Sequence, residues 1–164
     1  MAINDVWETM KPEFITEAIQ LSLESLRHGT GGPFGAVVVK DDRIVGRGGN
    51  HVTSTNDPTA HAEIVAIRDA CHNLGSYHLR GAEIYTSCEP CPMCLAAIYW
   101  ARLEWVYYAL TRQDAAAMGF DDALLYTELS LPIGQRKLPL HPLARDAALR
   151  AVGEWNDKPD RTLY

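Results

Sequence analysis

Apolar residues recur in two different periods along the first two thirds of the chain. Between Lys11 and His28, the positions Ile15, Ile19, Ser22 and Leu26 repeat at helical spacing, and Gly29 follows where a helix would stop. Gly29 to Gly35 is a glycine-rich turn, and Ala36 to Lys40 is a short β-branched run of the kind that forms a buried central strand. Asp41-Asp42 predicts a tight turn into a second strand from Arg43 to Gly48. Asn56-Asp57-Pro58-Thr59 is a turn and helix-start cluster. The helix it opens runs to about Leu74, with Ile64, Ile67, Cys71 and Leu74 on one face and Gly75 at the C′ position. Ala82 to Thr86 reads as a strand, Cys91 to Arg102 as a helix with Pro92 in its first turn, and Trp105 to Leu110 as a strand.

Alternating strands and helices after an antiparallel start predict an α/β fold, a three-layer α/β/α arrangement around a central mixed sheet. Beyond Leu110 the pattern is less regular. Leu143 to Trp155 reads as helical through Leu143, Ala147, Ala151 and Trp155, and the tail Asn156 to Tyr164 is polar but ends on an aromatic residue. A length of 164 residues suits one domain with a real core, and no repeat or linker divides it.

Composition narrows the partners. The longest apolar runs, such as Ala36 to Val39, are far too short to span a bilayer, and Met1 to Lys11 carries acids without an apolar leader. No membrane partner and a cytoplasmic location are expected. The formal net charge is −6 and no Lys/Arg cluster appears, which argues against nucleic acid and favours a small neutral molecule.

Chemistry concentrates in two short segments. His61-Ala62-Glu63 opens one expected helix and Pro90-Cys91-Pro92-Met93-Cys94 opens another. Cys91 and Cys94 are three apart, so a helical first turn aims both sulfurs the same way. With His61 they make three good zinc ligands and leave a fourth position for water, the layout of a catalytic site. Helix starts favour thiolates. Glu63 is close enough to reach the same cavity without ligating, and a carboxylate there can move protons for a metal-activated water. Other readings stand beside this one. Cys88 could complete a structural Cys3His site, or the cysteines could hold an iron–sulfur cluster. Cys88 precedes the helical turn and is expected to pack beside the ligands. Cys71 reads as a core residue, and His28, His51, His72, His78 and His141 read as surface or capping residues.

H-x-E followed by P-C-x-x-C is the signature of zinc-dependent base deaminases. On these two motifs the chain resembles the cytidine deaminase superfamily. It resembles the short bacterial guanine deaminases within it on Gly31 to Gly35, Asn56 to Glu63, Thr86 to Cys91, Gly119-Phe120-Asp121-Asp122 and the closing Tyr164, nearly its whole length. The resemblance implies a cytidine-deaminase-like fold, one Zn2+ per subunit and hydrolysis of guanine to xanthine and ammonia. It further implies Phe34 and Trp100 as aromatic walls for a purine base, and Asn50 and the Ala62 backbone as polar contacts. Asp122 and Tyr164 would lie near the leaving amine. It also implies a homodimer whose C-terminal segment, about 141–164, crosses to close the partner's site. Guanosine, cytosine or tRNA-adenosine deamination stays open within the superfamily, as does a non-enzymatic structural zinc domain outside it.

Overall fold

The computed structural model describes residues 11–163. By element, α1 is Pro12–His28, β1 Gly35–Lys40, β2 Arg43–Gly49, α2 Val52–Thr55 and α3 Ala62–Leu74. Then follow β3 Ala82–Cys88, α4 Pro92–Trp100, β4 Trp105–Leu110, α5 Arg112–Ala117, α6 Ala123–Ser130 and α7 Arg145–Asp157. A turn of 3-10 helix, Ile133–Gln135, separates the last two. The chain divides into two compact units after Asp122.

The first unit holds one mixed sheet in the order β2-β1-β3-β4. β1 pairs antiparallel with both β2 and β3, and β3 pairs parallel with β4. Asp41 and Asp42 both take left-handed φ, 49° and 60°, the geometry of a two-residue turn whose twist suits a hairpin. β1 is apolar and buried from Gly35 to Val39 because both its faces are covered there. Ala36 and Val38 face a cluster with Ala62, Ala66 and Ala70 of α3 and Ile98 of α4. Val37 and Val39 face the opposite cluster, with Phe14 of α1 and Tyr85. The three layers are therefore α1, the sheet, and α3 with α4, as the alternation of elements predicted.

The helix faces that do the packing differ from those read off the sequence. In α1 the buried residues are Phe14, Ala18, Ser22 and Ser25, while Ile19 and Leu26 are exposed. In α3 the buried face is Ala62, Glu63, Ala66 and Ala70, and Leu74 is exposed. Close approach explains the switch in α3. A Cβ at Gly48 would lie 2.1 Å from the Ala62 carbonyl oxygen, and one at Gly46 would lie 2.4 Å from that of Ala66. The glycines of β2 thus admit the helix backbone itself.

The second unit, described by itself, is α6, the 3-10 turn and α7. The Lys137 N–H donates to the Glu128 carboxylate at 2.7 Å, and the Arg136 guanidinium donates to the Leu131 carbonyl at 3.1 Å. Among its described residues none is buried, and Leu129, Leu143 and Val152 are exposed. Among the described residues no helix is long and apolar enough to cross a membrane.

Candidate metal centre

Two helix starts meet beside the sheet. His61 is the residue before α3 and Cys91 the residue before α4, and both are extended, at φ −65°. These are the positions where a serine or aspartate would ordinarily cap the helix with its side chain. Neither His61 nor Cys91 makes a capping bond. Their side chains turn to each other instead. The Nδ1 of His61 lies 3.7 Å from the Cys91 sulfur and 3.6 Å from that of Cys94, which sits buried in the first turn of α4. The three ligand atoms all fall within 4.8 Å of one another. One imidazole and two sulfurs so disposed suit a zinc ion with a further position open.

Electrostatics prepare these groups for a cation. A hydrogen bond from the Cys94 thiol, aided by His61, holds Cys91 down at about 4, so it is a thiolate. Cys94 is pushed up because it shares its proton with Cys91 and is buried. The Cys91 partner raises His61. The pair thus carries one negative charge before a metal displaces the second proton. Glu63 is buried in the first turn of α3, and desolvation holds its carboxyl above the ordinary value.

Cys88 closes β3 and stays outside the cluster. Its sulfur donates to the Thr111 carbonyl at 3.5 Å, and burial pushes its thiol up to about 11. Asn50 is buried after β2. Its side-chain oxygen accepts from the N–H groups of Gly32 at 3.3 Å and Val52 at 3.2 Å. A Cβ at Gly31 would overlap that oxygen, so the tight loop before β1 needs glycine there. Phe34 ends this loop, its carbonyl accepting from the Asn50 N–H at 3.0 Å. Asp122 is raised first by desolvation and then by the charge of Cys91, which puts it in electrostatic reach of the cluster.

The model of the cytidine and deoxycytidylate deaminase zinc-binding region matches residues 9–110. The chain is 48% identical over 151 residues to guanine deaminase of Bacillus subtilis, covering 92% of this chain and 97% of that one. It is 53% identical over 76 residues to the tRNA-specific adenosine deaminase of Agrobacterium fabrum, but covers only 46% of this chain and 50% of that one. An X-ray structure of guanine deaminase from Bacillus subtilis superposes with a TM-score of 0.90 at 47% identity, over 94% of this chain and 99% of that one. The chain belongs to the cytidine and deoxycytidylate deaminase family.

As a member of that family it is a hydrolytic deaminase acting on a C–N bond, and its three-layer fold is the deaminase fold. His61, Cys91 and Cys94 form its possible zinc site. Trp100 sits at the far end of α4 from the cluster, nine residues past Cys91 or about 13 Å along the axis. It is 64% exposed, with the Arg102 guanidinium over its ring at 5.9 Å. Tyr164 lies outside the described residues. One contact that the sequence did not reveal is Phe120 against the Phe34 ring. The family motif flagged Phe120, but only the folded chain brings the two rings together. Glu89 was missed as well. Its carboxylate accepts from the Arg112 N–H at 3.1 Å and ties the start of α5 to the end of β3.

Proposed function

We propose that this deaminase hydrolyses guanine to xanthine and ammonia, in purine catabolism or salvage. The observation that carries the substrate is the near full-length likeness to Bacillus subtilis guanine deaminase, which covers 92% of this chain and so reaches well past Asp122. The likeness to tRNA-specific adenosine deaminases stops at about half the chain. A zinc ion held by His61, Cys91 and Cys94 would act as a Lewis acid and lower the pKa of its water.

The remaining work falls to the chain's own residues. Glu63 takes one proton from the attacking water and delivers it to the ring nitrogen, then carries the second proton of that water to the departing amine. One C–O bond forms at C2 and one C–N bond breaks, and ammonia leaves. A raised carboxyl pKa suits a group that must accept and return a proton. Asn50 has its oxygen occupied by Gly32 and Val52, so it meets the base with its N–H2 donors. Phe34 supplies an aromatic wall, and the Ala62 N–H, at the start of α3, is a donor for substrate or oxygen. Asp122 is an acceptor for the ring N–H and exocyclic amine of guanine; adenine presents a bare acceptor there.

Trp100, exposed and about 13 Å from Cys91 along α4, would serve a site in a second subunit rather than its own. The reading therefore includes a homodimer whose tail, about 141–164 and ending in Tyr164, closes the partner's site. Exposed apolar residues of α7 such as Val152 and Trp155 support it. A cytoplasmic setting would keep the cysteines reduced for metal. A net charge of −6 disfavours a nucleic-acid substrate.

The test is Glu63→Gln in the zinc-loaded protein. Zinc stoichiometry is expected to hold while xanthine formation falls by about two to four orders of magnitude. Full activity in Glu63→Gln would remove Glu63 from the chemistry, and loss of the metal in Cys88→Ala alongside an inactive wild type would mark a structural zinc domain.

A further inference from the structure

Phe120 and Phe34 meet edge to face, with ring centroids 4.9 Å apart and planes at 83°. One ring comes from the loop before β1 and the other from the turn after α5. That turn is fixed by its backbone. Gly119 has φ 95°, a conformation glycine accepts, and its N–H donates to Ala116 at 2.9 Å. The Phe120 N–H donates to Ala115 at 3.0 Å. Gly32 lies against both rings: a Cβ there would be 3.0 Å from Phe34 and 3.1 Å from Phe120. Phe34 also packs on the core beside α3 and α4, whereas Phe120 belongs to neither core cluster and is 46% exposed. An exposed phenylalanine outside the core, on a backbone held this firmly, adds little to stability. What it does touch is the ring assigned to the base.

We propose that Phe120 is a positioning residue: its edge-to-face contact fixes the Phe34 ring for stacking on the base, and its turn also delivers Asp122 two residues later. One rigid turn would then set both the aromatic wall and the carboxylate. The inference deepens the proposed function and rests on Phe34 being a wall of the purine site.

The experiment compares zinc-loaded wild type with Phe120→Ala, Phe120→Leu, Phe120→Tyr, Phe34→Ala and the double variant Phe34→Ala/Phe120→Ala. Kinetics on guanine are read alongside zinc content and Tm. Phe120→Ala is expected to raise KM about three- to tenfold, the scale of one aromatic pair, with kcat within about twofold. Zinc content and Tm should stay near wild type. Phe120→Tyr keeps the aromatic edge and should restore KM, and the double variant should be no worse than Phe34→Ala. A wild-type KM in Phe120→Ala, or independent effects that multiply in the double variant, would overturn the inference. If Phe120→Ala does not fold, Phe120→Leu decides by the same KM criterion. A wild type that leaves guanine intact tells against the substrate reading instead, and the KM series is then run on whichever base it turns over.

Discussion

The Asn50 side-chain oxygen is held by two backbone N–H groups of its own chain, so its amide nitrogen is the part left to face a ligand. Asparagine suits a purine edge because it can both donate and accept, but here the loop has taken the acceptor. Two variants separate the two tasks. Asn50→Asp keeps an oxygen for Gly32 and Val52 but has no donor, and should raise KM for the base about tenfold with little change in Tm. Asn50→Ala removes both and should also lower Tm by leaving the Gly32 and Val52 amides without their acceptor. Equal KM values in Asn50→Asp and wild type would remove Asn50 from substrate recognition. At this scale the metal ligands were legible in the sequence because ligand type and spacing are local: Cys91 and Cys94 share one helical turn, and His61 opens another. The Asn50–Gly32 bond and the Phe120 contact were not, because each joins residues far apart in the chain.

Helix α3 opens just after His61 and carries Glu63, and the glycines of β2 are what seat it. Apart from α2, element positions from Pro12 to Leu110 followed from periodicity and punctuation, including the Asp41-Asp42 turn and the stop at Gly75. The buried faces did not. Periodicity points to Ile64, Ile67, Cys71 and Leu74, of which Ile67 and Cys71 pack half-buried against the core; the fully buried apolar residues are Ala62, Ala66 and Ala70, because glycines on the facing strand favour close contact over side-chain volume. The short helices α2, α5 and α6 left no clear period to read. Gly48→Val places a side chain against the Ala62 carbonyl and should destabilise the fold by about 1–3 kcal/mol, measured by urea denaturation. The strain falls one residue from both His61 and Glu63, so zinc affinity should fall with it. A stable variant with unchanged zinc affinity would show that close packing does not seat the ligands.

On the scale of the whole molecule, the proposed catalytic residues and the C-terminal tail lie in different compact units. The first contains the sheet, the metal cluster and Asp122. The second buries none of its described residues, and the proposed homodimer would cover them. Deleting Lys158 to Tyr164 should therefore cut turnover while zinc stays bound. A truncated enzyme as active as the full chain would discard the closing role of the tail. The central claim is that this deaminase site takes guanine, and ammonia release tests it most directly. The zinc-loaded protein would be given guanine, guanosine, cytosine and adenine in parallel. The expected result is the highest kcat/KM on guanine, with xanthine as product; no release from guanine alongside turnover of another base would contradict it.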